Sequence, residues 1–113
     1  MTIGSGSLIG SNVLISDHAH GVYRDGMGCE QSDPGTIPGQ RPLRSGGPVV
    51  IGRNVWLGDG VVVLAGATIG DGCVIGANSV VTGTIPAATL AVGAPARPVR
   101  QWDPHRSEWT RIG

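Results

Sequence analysis

The sequence predicts an all-β chain wound as a parallel β-helix, and two observations carry that prediction. An apolar residue recurs every six positions as Ile51, Leu57, Val63, Ile69, Ile75 and Val81, usually followed by glycine, at Gly52, Gly58, Gly70 and Gly76. The position four after it is small or branched: Val55, Val61, Ala67, Cys73, Ser79 and Ile85. A period of six fits neither the 3.6 of a helix nor the 2.0 of a flat strand, so it marks a repeat architecture. Three hexapeptides make one triangular coil of about 18 residues, and coils stack about 4.8 Å apart in the strand-pairing direction. Residues eighteen apart then form inward ladders: Ile51 under Ile69, Leu57 under Ile75 and Val63 under Val81. At the corners the backbone needs dihedrals that a Cβ penalises, which Gly52-Arg53-Asn54, Asp59-Gly60 and Asp71-Gly72 supply.

The 113 residues make a single domain, 1–113. Twenty glycines and no phenylalanine suit a narrow core that accepts branched side chains and has little room for rings. A formal net charge of zero and no basic stripe argue against nucleic acid. No apolar run approaches the roughly 20 residues of a membrane span, and no signal-peptide pattern opens the chain, so a cytoplasmic protein is expected. Cys73 falls on an inward position and Cys29 in an irregular stretch, so both are read as reduced thiols rather than as a disulfide framework.

Taken in order, Ile3, Ile9 and Ile15 begin the first coil, spanning 3–20, almost at the first residue. No cap precedes Ile3, which suggests missing upstream coils or a covering subunit. From Ile15 to Ile51 is 36 positions, a multiple of six, so the phase survives an insertion over 21–48. Pro34, Pro38, Pro42 and Pro48 read that insertion as a long loop without helix or interior strand, of the length that usually carries function. Two coils follow over 51–86, and the period fails at Ile85-Pro86. The C-terminal segment 87–113 reads as an irregular strand, then a short hairpin about Asp103-Pro104 flanked by Trp102 and Trp109. Its tryptophans either cover the last rung or make a subunit contact.

The candidate for chemistry is His18 in Ser16-Asp17-His18-Ala19-His20-Gly21, where the regular coil gives way to the loop. Two histidines spaced by two on a strand point to the same side, and an imidazole near pKa 6.5 suits removal of a proton from a hydroxyl. Asp17 is adjacent but would point to the other side of a strand, so Asp25, Glu30 and Asp33 of the loop are as good candidates as Asp17 to orient the ring.

The stretches Ile51–Asp59, Ile75–Thr82, Ile85-Pro86 and Val92–Arg97 together resemble the hexapeptide-repeat O-acetyltransferases of the galactoside, maltose and nodulation type. Within that group, Ile15–Gly21 and the Trp102/Trp109 tail are more similar to the acetyltransferases of lipopolysaccharide and exopolysaccharide synthesis. The resemblance covers nearly the whole chain. It implies a left-handed β-helix, against the right-handed rule for parallel crossovers, and a homotrimer binding acetyl-coenzyme A in clefts between subunits, with no metal. Residue by residue, it places the general base at His18, with His20 and Asp17 beside the acceptor. Its cofactor contacts fall on Trp56, Asp59, Ala77, Thr82, Arg97 and Arg100.

Two positions depart from the family pattern: Asp59 stands where several relatives have serine, and Gly83 where a lysine often follows the threonine. Phosphate attraction then rests on Arg97 and Arg100. The implied reaction moves acetyl from acetyl-coenzyme A to a hydroxyl of a sugar or polysaccharide precursor, both substrates bound at once. A corner near Gly58 or Gly76 is expected to offer the N–H that the tetrahedral oxyanion needs. Two other readings are a non-catalytic assembly module and a γ-carbonic-anhydrase-like metalloenzyme, which needs three histidines around zinc, whereas His105 lies in the tail away from His18 and His20.

Overall fold

The computed structural model describes residues 1–20 and 33–112, and only the backbone of His20. Its strands in chain order are β1 (Thr2–Ile3), β2 (Leu8–Ile9), β3 (Leu14–Ile15), β4 (His18–His20) and β5 (Leu43–Ser45). There follow β6 (Val50–Ile51), β7 (Trp56–Leu57), β8 (Val62–Val63), β9 (Thr68–Ile69), β10 (Val74–Ile75) and β11 (Val80–Val81). The chain ends with β12 (Thr84–Ile85), β13 (Thr89–Gly93), β14 (Ala96–Asp103) and β15 (Glu108–Arg111). Three parallel stacks form the faces of a triangular coil: β1-β6-β9-β12, then β2-β7-β10-β13, then β3-β8-β11. The ladders have the register that the six-residue period demands, with Ile51 against Ile69, Leu57 against Ile75 and Val63 against Val81. Ile3, Ile9 and Ile15 join the same ladders through Ile51, Leu57 and Val63, so the insertion preserves the phase.

The core is the inward row of each face. Ile51, Leu57, Val63, Ile69, Ile75 and Val81 are at most 1% exposed, and the small positions Val55, Val61, Ala67, Cys73 and Ser79 fill the corners between them. Burying each large aliphatic side chain contributes roughly 1.5–3 kcal/mol. The first coil gains less, because its Ile3 and Ile9 remain 42% exposed.

The corners use two devices, only one of which is conformational. Positive φ falls three residues after the ladder position, at Asn54 (56°), Gly60 (72°) and Asn78 (60°), where a side chain that bonds locally, or none, is tolerated. The glycine directly after the ladder position serves close approach instead. A Cβ at Gly58 would lie 2.8 Å from Ala77 N, and one at Gly70 would lie 2.5 Å from Ala87 N, in the coil above.

The period does not fail at Ile85; it shifts phase. Only Thr82 and Gly83 separate β11 from β12, whereas four residues separate β8 from β9, so the third coil closes two residues early. Ile85 therefore stacks on Ile69 as a ladder residue rather than in a small position, and Ala91 follows it six residues on, over Ile75. Thr89, 2% exposed, takes the small position between them. The insertion also departs from an unstructured loop. Its described end holds a 3-10 turn at Pro38–Gln40 and strand β5, which pairs antiparallel with β4. Prolines bar an interior strand, and β5 is one strand of an isolated pair.

The C-terminal hairpin β14–β15 extends the second face by antiparallel pairing onto β13. Trp102 and Trp109 face each other across it, edge to face at 5.6 Å. Trp102 stays 38% exposed. The rings thus pack on one another, where covering of the last rung is the expected role.

Candidate active site

Trp56, Asp59 and Ala77 come together at the corner between the second and third faces. With Gly58, Val74 and Gly76 they line a cleft of about 290 Å³. Trp56 is outward on β7 and 51% exposed, and the backbone of Gly58 and Gly76 forms part of the cleft wall.

The carboxylate of Asp59 has a structural partner. Its Oδ1 accepts the Ser11 N–H at 2.8 Å from the coil below, as Asp71 Oδ1 accepts the Arg53 N–H at 2.8 Å one corner away. One coil up, Ala77 has no carboxylate to reach down in the same way. The N–H groups of Asp59 and Ala77 therefore find no acceptor among the described residues. Within the expected corners, Gly58 and Gly76 are not themselves the free donors: their N–H groups bond Ile75 O and Ala91 O, both at 2.9 Å.

Arg97 and Arg100 lie on β14. Their separation of three would put them on opposite faces of a regular strand, but a bulge shifts the register between Leu90 and Ala91, which pair with Arg100 and Pro98. Val99 is the extra residue, so both arginines fall on the outward side with Val92 and Leu90. Leu90 continues through Val74 to Trp56, so one outward row joins Arg100 to the cleft, with Arg97 one row to the side.

His18 and Thr82 are elsewhere. Both follow the third face, His18 after β3 and Thr82 after β11, at the corner leading back to the first face. The third face thus separates them from Trp56, Asp59 and Ala77 within one chain. Asp17 sits at a bend before β4, not on the strand, and this overturns its expected orientation: its Oδ1 lies 3.1 Å from His18 Nδ1. That hydrogen bond holds the Asp17 carboxyl below the usual carboxylate range. The local backbone is tied by Ser16 Oγ donating to His18 O at 3.1 Å and Gly46 N–H to Asp17 O at 3.0 Å. Asp33 accepts from Thr36 Oγ1 at 2.8 Å instead. Asp25, Glu30, Cys29 and the His20 side chain lie outside the described residues; the His20 backbone pairs with Leu43. Cys73 is a free thiol. Among the described residues no three His, Cys, Asp or Glu side chains converge as metal ligands, and no helix is long and apolar enough to cross a membrane.

A three-faced parallel β-helix with a corner cleft beneath an exposed tryptophan defines a hexapeptide-repeat protein. The Bacterial transferase hexapeptide (six repeats) family matches residues 48–83, and the chain has the left-handed parallel β-helix fold of hexapeptide-repeat acetyltransferases. It is 43% identical over 111 residues to the putative lipopolysaccharide biosynthesis O-acetyl transferase WbbJ of Escherichia coli K12, covering 98% of this chain and 55% of that protein. Identity to the galactoside O-acetyltransferase of the same strain is 39%, over 89% of this chain and 44% of the relative. The solved galactoside acetyltransferase in complex with coenzyme A superposes with a TM-score of 0.74 at 33% identity, covering 98% of this chain and 52% of that one. A hexapeptide-repeat acetyltransferase of Vibrio cholerae complexed with acetyl coenzyme A gives 0.73 at 33% identity, over 89% and 49%. The chain spans about half the length of each of these relatives.

Proposed function

We propose that the chain is the β-helical transferase unit of an O-acetyltransferase, moving acetyl from acetyl-coenzyme A to a hydroxyl of a sugar or polysaccharide precursor. One observation carries the assignment of the base: His18 Nδ1 is engaged by Asp17 Oδ1 at 3.1 Å. In the tautomer with the proton on Nδ1, Nε2 is the lone-pair acceptor for a hydroxyl proton. The imidazole takes that proton as the hydroxyl oxygen attacks the thioester carbonyl. A C–O bond forms, the C–S bond breaks, and the proton passes to the departing thiolate.

The donor fits the second face. Trp56 and the cleft wall at Gly58 and Gly76 suit an apolar arm with amide groups, for which the Asp59 and Ala77 N–H groups are available donors. Arg97 and Arg100 suit its phosphates. Because His18 and Thr82 lie at one corner and the cleft at another, the reading requires neighbouring copies, and a homotrimer closes the arrangement with one contact type repeated three times.

The test is thiol release from acetyl-coenzyme A with a panel of sugar acceptors. His18→Ala should lower turnover by at least about 100-fold with coenzyme A affinity nearly unchanged, and His20→Ala should mainly raise the acceptor KM. Turnover indifferent to both would leave the transferase reading without its base and favour an assembly module.

A further inference from the structure

Arg111 stands directly opposite Arg100 across the β14–β15 pair, and both are exposed. Facing residues of an antiparallel pair hold their Cβ atoms about 4.5–5.5 Å apart, a separation at which like charges repel. The hairpin's glutamate does not relieve them, since Glu108 pairs with Arg106 at 3.7 Å. Among the described residues neither Arg100 nor Arg111 has an ion-pair partner. The bulge at Val99 brings Arg97 to the same face, one row to the side. The row on the other side holds Trp102 and Trp109. Three guanidiniums directed one way beside two indoles oppose folding slightly and favour a multiply charged anion that carries a ring.

The row holding Arg100 and Arg111 runs through Leu90 and Val74 to Trp56 at the cleft. A donor whose apolar arm follows that row puts its anionic end at the arginines. Coenzyme A carries there a pyrophosphate and a separate 3′-phosphomonoester, and the monoester dianion is the group best matched by two facing forks.

Building on the donor reading above, we propose that Arg111 determines specificity for the donor: with Arg100 it receives the 3′-phosphate, Arg97 is left to the pyrophosphate, and the adenine lies against the tryptophan pair. Calorimetry with coenzyme A and with 3′-dephospho-coenzyme A at low salt, on the purified assembly, tests it. The wild type should prefer coenzyme A by about tenfold, the worth of one charge-assisted pair. Arg111→Gln should remove that preference by weakening coenzyme A alone, leaving dephospho-coenzyme A within about twofold. Arg111→Lys, which keeps the charge and loses the fork, should fall between, and it carries the test by itself if the glutamine variant fails to fold. Arg106→Gln should change neither ligand. Equal weakening of both ligands by the Arg111 variants, or no preference in the wild type, overturns the proposal. If the wild type binds neither ligand, the donor reading falls with it; if it binds coenzyme A and Arg111 is indifferent, only this inference falls.

Discussion

Arg97 and Arg100 share the outward side of the second face because the chain accommodates one extra residue, Val99, between them. A spacing of three on a regular strand would have sent one guanidinium inward, towards the side where Ala91 and Ala96 are buried. The bulge converts two scattered charges into one electrostatic surface, continuous with the row that leads to Trp56.

That surface predicts salt-sensitive binding. Replacing Arg97 and Arg100 together by alanine should weaken coenzyme A by ~2–4 kcal/mol, from two charge-assisted pairs that partly overlap. Raising ionic strength should weaken the wild type more steeply than the double variant. Calorimetry across a salt series measures both, and an unchanged affinity in the double variant would sink the assignment.

The close-approach glycines separate cleanly from the open ones. Gly70→Ala puts a Cβ 2.5 Å from Ala87 N, so the coil above must shift. This should cost about 1–3 kcal/mol, as for overpacking of a filled site. A Cβ at Gly83 meets nothing within 4 Å and φ is not positive there. Gly83→Ala should be neutral, or stabilising by up to about 1 kcal/mol through the unfolded chain. Denaturant unfolding of the two variants gives the comparison.

Much of this was legible because a β-helix writes its core into a fixed period. The ladder from Ile51 to Val81 needs only the number six, and the insertion leaves Ile15 in phase with Val63. The early closure after Val81 was not legible, since Ile85 satisfies a ladder position and a small position equally well by residue type. Nothing in Arg97-Pro98-Val99-Arg100 marks a bulge. Asp17 was misplaced because alternation was extended one residue beyond the strand, which begins at His18. Asp59, which departs from the serine of several relatives, has a role between coils that residue type alone does not show: its carboxylate accepts the Ser11 N–H.

Cys73 gives a pH-dependent prediction. It is 1% exposed, its Sγ donates to Pro86 O at 2.9 Å, and burial pushes the thiol above its ordinary range. For an acid raised in the fold, the neutral form is the stabilised one. Its contribution is complete below the unfolded thiol range and is lost as pH rises through that range towards the elevated value. Alkylation mapped to Cys73 by mass spectrometry should therefore be negligible in the native protein near neutral pH and rapid after denaturation. Fast native labelling of Cys73 would contradict the packing.

The separation of His18 from the cleft by the width of the third face makes the sharing of sites between copies testable by complementation. On the proposed roles, His18→Ala removes the base and keeps the donor face, whereas Arg97→Ala with Arg100→Ala removes donor contacts and keeps the base. If each site takes His18 from one subunit and the cleft from its neighbour, random mixing of the two variants should restore about one quarter of the sites. A competent site requires the arginine variant to supply the histidine and the histidine variant to supply the cleft, each with a probability of about one half in a random trimer. Unmixed, both variants should be nearly silent at limiting acetyl-coenzyme A. Refolding them together and assaying thiol release decides the matter: recovery near a quarter of wild-type activity supports shared sites. No recovery from a mixture that light scattering shows to be trimeric would confine both functions to one chain, and the wide separation of His18 from Trp56 would then exclude His18 as the base.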